Sequence, residues 1–508
     1  MNFFNQMENV LNQRKTLTTN GAVAYQTSGK QLLDFNFSLT ALRNSDAYTI
    51  ADKYARVFYE DKMIALKYLF MVGDVREGNG ERHIFKTCLE WLALEQPELT
   101  KAVLPLIPEY TRWDNLWTLL DTDLKDDVLN LTKVQLNEDA KNMMENKSVS
   151  LLAKWLKSEG AYSNETRRLA KITRNGLGMT SKQYRKILSA LRKYLDVVEV
   201  KMSAKQWDKI KYENVPSRAN LIYNSAFLRN DEARRRKYLS ALEKGETKIN
   251  ASVLQPHEIV NKYNYTYGDK DTALEAMWKA LPNLSVENTL VVRDGSGSMT
   301  WHYCSPESRV RPLDVATALA IYMSERNTGC WKDKFITFSR DPRIVNLTNC
   351  RTLREKMDVT RRETDCSNTD IYKTMKLILD TAVINHLTQE EMPGTIVIIS
   401  DMQFDGSKHN MSKSLFDHIA VEFESYGYKL PKICFWNVDC ETNGSKINNG
   451  CKIPMQQNEM GLILCSAFSV QILKMFMSGK TDPYEVLLEQ INSERYKPVE
   501  EALGDLIA

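Results

Sequence analysis

Residues 289–298 read T-L-V-V-R-D-G-S-G-S, a short apolar run that ends in Asp294 and is followed by Ser296 and Ser298. A β-branched run of this kind predicts a buried strand, and the two glycines let the next loop turn sharply enough for one carboxylate and two hydroxyls to converge. Those groups are hard oxygen ligands. They suit Mg²⁺, which wants octahedral geometry, keeps several waters and rarely receives a full protein cage. Asp, Gly and Ser are also ordinary turn residues, so the segment alone reads equally well as a strand-to-helix loop.

Two later segments add to it. Residues 394–401, G-T-I-V-I-I-S-D, repeat the pattern of a buried strand ending in an acid, here Asp401. In an open, mostly parallel sheet, ligands gather beyond the carboxyl ends of the strands at a topological switch point, so Asp294 and Asp401 are expected at one edge. The third segment is Asn368-Thr369-Asp370, ahead of a helical pattern with Ile371, Met375, Ile378 and Leu379 on one face. Thr369 stands where a helix cap begins. Asp-x-Ser-x-Ser, a threonine loop and a second strand-end aspartate, in that order, resemble the metal-ion-dependent adhesion site of von Willebrand factor A (vWA) domains. The resemblance implies one Mg²⁺ held by the hydroxyls of Ser296, Ser298 and Thr369, with Asp294 and Asp401 acting directly or through water. Thr364 and Asp365 are the alternative ligands if the loop boundary lies a few residues upstream.

The remainder of the C-terminal half alternates in kind. Helix patterns at 312–327, 371–383, 411–426 and 470–477 are interleaved with strand patterns at 335–339, 432–438 and 462–465, which predicts a doubly wound, Rossmann-like sheet. Residues 301–311, W-H-Y-C-S-P-E-S-R-V-R, lengthen the loop after Ser298 and are placed to shape access to the sheet edge.

The N-terminal half has no strand pattern of this kind. Helix patterns follow one another at 47–70, 81–94, 113–121, 125–144, 148–157, 164–173, 181–197, 218–228 and 231–242, an order expected of antiparallel or stacked helical pairs in a curved array. A chain of 508 residues exceeds what one core usually serves, and 43% apolar with 26% charged residues is ordinary for a soluble protein. The expected class is α + α/β, with domains at 1–285 and 286–508. No apolar run approaches a membrane span and the start M-N-F-F-N-Q is not a signal sequence, so a cytoplasmic protein is expected. Nine cysteines without a Cys-x-x-Cys pair suggest neither a disulfide framework nor a zinc site; Cys434 and Cys465 read as small hydrophobes within strands. His257 and His302 read as solvated or hydrogen-bonded histidines.

A net charge of +3 argues against a generic polyanion binder, but the basic residues are clustered. Arg167, Arg168, Lys171 and Arg174 share one helix pattern; Lys182, Arg185, Lys186, Arg192 and Lys193 share the next; Arg234, Arg235, Arg236 and Lys237 share a later one. With Tyr184, Tyr194, Trp207, Tyr212 and Tyr223 interleaved, the clusters fit contact with RNA phosphates and unpaired bases. They equally fit solvated helix faces with aromatics turned to the core.

Several longer motifs carry a family likeness: T-x-N-G-A-x-A-Y-x-T-S-G at 18–29, D-x-R-x-G-x-G-E-R at 74–82, the stretch 197–219, H-E-I-V at 257–260 and S-D-M-Q-F-D at 400–405. Together they resemble an uncharacterised family of helical-plus-vWA proteins that is similar to the Ro autoantigen (TROVE) group. That resemblance implies a TROVE-like, HEAT-like helical domain able to close into a ring, followed by a vWA domain. It also implies a ribonucleoprotein component that binds small structured or misfolded non-coding RNA in RNA quality control. Ala467 stands where the related family leads one to expect glycine. The alternative function is a metal-dependent protein-interaction scaffold without RNA binding, in which a partner's carboxylate completes the metal's coordination. An enzyme is not expected, because a second set of metal ligands and a nucleophile–base pair are missing, and no membrane partner is expected.

Overall fold

The run at 289–294 forms a strand buried along its whole length, as a parallel strand covered on both faces must be. The computed structural model describes residues 15–17, 23–25, 27–265, 269–306, 308–364, 369–404, 415–439, 462–477, 480 and 482–507. Its strands are β1 (Lys15–Leu17), β2 (Val23–Tyr25), β3 (Thr289–Asp294), β4 (Lys334–Phe338), β5 (Ile344–Asn346), β6 (Thr395–Ser400), β7 (Lys432–Asn437) and β8 (Leu462–Ser466). β1 and β2 pair with each other, and the other six form one sheet in the order β5-β4-β3-β6-β7-β8. Every neighbour in that sheet is parallel except β5, which runs antiparallel to β4. The chain builds outward from β3 to β5 on one side, then returns to β6 on the other. β3 and β6 are therefore neighbours at the point where the strand order reverses, the place where open sheets bind ligands.

Helices fill the connections. Pro312–Glu325 opens with proline in its first turn and Asp314 Oδ2 accepting from the Arg311 amide at 2.9 Å; its Ala-rich, nearly all-apolar body packs on β3, β4 and β6. Ile371–Ile384 and Leu415–Ser425 lie where the sequence patterns predict helices, although residues 411–414 of the second pattern are outside the described residues. Val470–Met477 is a 3₁₀ helix. β5 and the helix Leu353–Arg362 are additional to the sequence reading.

The described chain falls into two compact units, Met1–Asp61 with Leu254–Ile491, and Lys62–Val253 with Asn492–Ala508. The two ends of the chain belong to opposite units. In the sheet unit, the helix Gln31–Phe37 packs on β8. Thr40 there supplies polar partners at the ends of β7 and β8: its amide donates to Ser466 Oγ at 3.2 Å, its hydroxyl lies 2.9 Å from the same oxygen, and Asn437 Nδ2 donates to the Phe37 carbonyl at 2.9 Å. Arg43 lies 3.9 Å from the centre of the Phe468 ring.

In the helical unit the pattern at 47–70 breaks at Asp61, giving Ala47–Glu60, which belongs to the sheet unit, and Lys62–Gly73. The long helix Lys125–Met144 has the bounds the periodicity predicts. The C-terminal helix Lys497–Leu503 packs on Lys62–Gly73 and Pro97–Val103. Just before it, Arg495 Nε meets the fully buried Asp74 at 2.9 Å, and the Tyr110 hydroxyl donates to the Arg495 carbonyl at 2.6 Å. Lys67 Nζ reaches Glu500 at 2.9 Å. Removing Arg495 from the fully buried Asp74 costs about 3–5 kcal/mol, so these last residues are integral to the helical unit. No described helix is long and apolar enough to cross a membrane.

Ala467, directly after β8, is buried with φ 120°, a region that favours glycine, and its carbonyl accepts from Trp436 Nε1 at 2.8 Å. A strained backbone of this kind costs on the order of 1–3 kcal/mol, partly offset by the entropy that glycine would lose on folding. Ala467→Gly is expected to stabilise the sheet unit by about 1 kcal/mol, seen as a rise in its thermal midpoint. A fall in the midpoint would show that the methyl group's packing outweighs the strain.

Candidate metal centre

β3 and β6 run side by side in register from Thr289 opposite Thr395 to Arg293 opposite Ile399. That pairing brings Asp294 beside Ser400, whose hydroxyl donates to Asp294 Oδ2 at 2.5 Å. The other oxygen, Oδ1, accepts from the Ser296 amide at 2.8 Å, which folds the D-G-S-G-S loop back over its own aspartate. Ser296 Oγ and Ser298 Oγ are then 3.0 Å apart at the start of the 3₁₀ turn Gly297–Thr300.

The second aspartate is held by an equally tight turn. Met402 adopts φ 62°, its amide donates to Ser400 Oγ at 3.1 Å, and the Gln403 amide donates to Asp401 Oδ1 at 3.1 Å. The Gln403 carbonyl in turn accepts from the Thr369 hydroxyl at 3.0 Å. Thr369 is thus tied to the Asp401 loop. It does not cap the following helix, because Asp370 does so, accepting from the Lys373 amide at 3.1 Å. A hydroxyl that gives its proton to a carbonyl keeps its lone pairs for another partner. The alternative ligand Thr364 is engaged elsewhere, accepting from Arg293 at 2.7 Å and donating to the Thr360 carbonyl at 2.8 Å; Asp365 lies outside the described residues.

Arg293 went unnoticed in the sequence reading, although it is the one charged residue inside the apolar run before Asp294. Its guanidinium is buried and also donates to Thr317 Oγ1 at 3.0 Å. Neighbouring side chains on a strand project to opposite faces, which separates it from the Asp294 carboxylate.

Asp294, Thr369, Asp401 and Ser296 are buried and Ser298 is partly exposed. Burial, and then the charge of Asp401, push Asp294 up to about 7, against hydrogen bonds from Ser400 and Ser296 that pull it down. None of these groups is a cation. Two carboxylates and three hydroxyls gathered at a strand switch point, with no positive charge among the groups acting on Asp294, form a donor set that fits a hard divalent cation. Beside it Trp301 is highly exposed, and its indole is 3.6 Å from where a side chain on Gly297 would begin. The Cys304 amide donates to the Val310 carbonyl at 2.8 Å, closing the long loop that carries Trp301 and the exposed Tyr303.

The basic clusters divide into structural and free members. Arg235 is fully buried, bonded to Asn220 and Asn224 and ringed by Tyr212, Phe227 and Tyr238, so the expectation that it meets RNA is corrected: its charge is spent inside the helical unit. Arg192 donates to the carbonyls of Ala153 and Leu156 and to Ser158. Arg168 pairs with Asp121 and Glu165, Arg174 with Glu159, Arg234 with Asp231 and Arg236 with Glu232. Tyr184 and Tyr212 are buried, with their hydroxyls bonded to the Lys157 carbonyl and to Asp231. Arg167, Lys171, Lys182, Arg185, Lys186, Lys193 and Lys237 are exposed and make no ion pair among the described residues. His257 is buried edge-on to Phe468, and Cys434 and Cys465 are buried thiols 3.5 Å apart.

Comparison with known sequences places two domains of unknown function on this chain: DUF7788 matches residues 288–502, and DUF2828 matches residues 18–111 and 150–286. The chain is 29% identical over 525 residues to an uncharacterized protein, L728, of Acanthamoeba polyphaga mimivirus; the match covers 95% of this chain and 88% of the viral protein.

The electrostatics of the site set a pH dependence. A carboxyl whose folded value is raised above its unfolded value contributes stability below the unfolded value and loses it as pH rises through the folded value. With divalent cations chelated, the difference in thermal stability between the unmodified protein and Asp294→Asn is expected to shift against the unmodified protein as pH rises from about 4 to about 7, from the ordinary carboxylate value to that of Asp294, and to level off above it. A difference that stays constant over that range would show that burial and the charge of Asp401 do not raise the Asp294 carboxyl.

Proposed function

We propose that this is a cytoplasmic RNA-binding protein, with a helical, TROVE-like unit that contacts RNA and a vWA-type sheet unit that holds Mg²⁺. The observation that carries the RNA reading is the charge of residues 164–194, with nine Lys and Arg against the single acid Glu165. Six of those cations, Arg167, Lys171, Lys182, Arg185, Lys186 and Lys193, are exposed and without an acidic partner among the described residues. A solvated helix face normally interleaves both signs, whereas an unpaired run of one sign attracts a polyanion. Small structured or misfolded non-coding RNA with single-stranded ends is the proposed ligand, since arginine both pairs with phosphate and stacks on unpaired bases.

The strand order and the position of the site at the β3/β6 switch support the vWA reading of the sheet unit. Ser296, Ser298 and Thr369 are the residues proposed to hold Mg²⁺, with Asp294 and Asp401 orienting its waters and balancing its charge. Bound there, the ion supplies a Lewis-acidic position open to an outside oxygen. The exposed Trp301 and Tyr303 beside that position favour a second reading, in which a protein partner's carboxylate meets the metal and the two rings supply the apolar contact.

Mg²⁺ is expected to raise the thermal midpoint of the unmodified protein and to leave that of Asp294→Ala unchanged; an equal rise in both would place the binding elsewhere. RNA binding is expected to weaken steeply with salt. Reversing the exposed trio with Lys182→Glu, Arg185→Glu and Lys186→Glu should make the log–log salt slope shallower by about 2, at roughly 0.7 per single-strand phosphate contact. An absence of salt-sensitive binding to RNA with a single-stranded 3′ end, in a filter-binding titration of the unmodified protein, would leave the protein-scaffold reading in its place.

A further inference from the structure

The helical unit contains a cavity of about 1130 Å³ that neither the metal centre nor the basic helix face accounts for. Leu151, Val200, Ile222 and Val253, four large apolar side chains that stay exposed, all line it. A patch of that kind on a concave surface marks a ligand groove. Its volume exceeds the roughly 300–1,000 Å³ of ordinary small-molecule sites, which suits a stretch of polymer better than a single metabolite.

Five polar or aromatic residues in the wall narrow the chemistry. Trp155 offers a ring, with the Arg112 guanidinium already 3.9 Å from its centre. Lys154 Nζ lies 5.7 Å from the same ring and makes no ion pair among the described residues. Glu199 Oε2 is shielded from solvent and has no hydrogen-bond partner among the described residues. Burial first, and then the charge of Glu199 and a hydrogen bond to it, push the Tyr223 hydroxyl up, so Tyr223 is a neutral phenol that donates toward that carboxylate. A purely apolar occupant would leave Glu199 Oε2 with no partner beyond the neighbouring phenol, and an anionic group set directly against it would be repelled. The occupant must bring an N–H donor for Glu199, a planar body for Trp155 and an anion for Lys154.

We propose that this cavity receives an unstacked guanine of a single-stranded RNA, with Glu199 accepting from the base's Watson–Crick edge and Lys154 pairing with a phosphate. Guanine is the base whose Watson–Crick edge presents two adjacent N–H donors, so the carboxylate there does not confront a ring acceptor. A smaller cavity of about 300 Å³, lined in part by Arg185 and Ser189, shares Arg192 and Val200 with the larger one. The guanine site therefore adjoins the cavity at Arg185, one of the exposed cations of the basic face. The proposal rests on the RNA-binding reading and adds a base preference to it.

The test is fluorescence anisotropy of the full chain with labelled single-stranded heptamers at fixed salt: seven uridines, the same with a central guanosine, and the same with a central inosine. The guanosine heptamer is expected to bind at least about fivefold more tightly than the all-uridine one, the lower end of what a paired base contact provides. Inosine, which lacks the 2-amino group, should lose part of that gain on the unmodified protein, independently of any substitution. Glu199→Gln should abolish the guanosine preference, so that the guanosine and all-uridine heptamers bind alike, and Lys154→Ala should weaken all three heptamers alike. Equal binding of the three by the unmodified protein, or a preference that survives Glu199→Gln, overturns the guanine site and leaves the RNA reading standing. No binding of any heptamer overturns the guanine site, and overturns the RNA reading as well where RNA with a single-stranded 3′ end also fails to bind.

Discussion

Two carboxylates held together in a buried place are unstable unless something offsets their charge, and the architecture of the sheet unit follows from holding Asp294 and Asp401 in that way. The parallel pairing of β3 with β6 aligns the two strand ends, and Ser400 bridges them by donating to Asp294 while accepting from the turn that carries Asp401. Met402 accepts a left-handed backbone to make that turn, and Thr369 is drawn in through the Gln403 carbonyl. Local strain of this sort persists only where the surroundings over-determine it, and it clusters at ligand sites. Ser400 and Ser296 both donate to Asp294, and the cation proposed for the site would supply the charge balance that they do not.

The same economy of polar partners explains how the chain is divided. Asn437 and Ser466 end β7 and β8 with polar groups that would be orphaned in a buried sheet edge, and the N-terminal segment around Phe37 and Thr40 satisfies them. In the helical unit it is the C-terminal segment that meets a buried charge, with Arg495 on Asp74. Each terminus is held by buried polar bonds of long sequence separation, the class of interaction whose loss costs most. Neither unit is a contiguous piece of the sequence for this reason.

What could be read from the sequence was what depends on local pattern. The apolar runs at 289–294 and 395–400 announced β3 and β6, and the Lys125–Met144 helix followed from periodicity alone. The order of Asp294, Ser296, Ser298, Thr369 and Asp401 was enough to predict their meeting at one edge, because strand direction and topology place strand ends together. β5 was missed because it has three residues and buries one of them. The break at Asp61 was missed because both sides of it continue a helical pattern. The larger misreading was Arg235: a run of three arginines looks alike whether or not one is buried, and only its neighbours Asn220, Asn224 and Tyr212 reveal that the middle one belongs to the core. Glu199 was invisible for the converse reason, since nothing in V-V-E-V says that a carboxylate oxygen will lack a partner.

The account turns on the metal centre, and its most direct test is a crystal grown or soaked with Mn²⁺ and measured for anomalous scattering. A single anomalous peak within coordination distance of the hydroxyls of Ser296, Ser298 and Thr369, with Asp294 and Asp401 beside it, is the predicted result. A well-ordered loop at those five residues with no peak there, or with the ion bound at another place in the sheet unit, would contradict it.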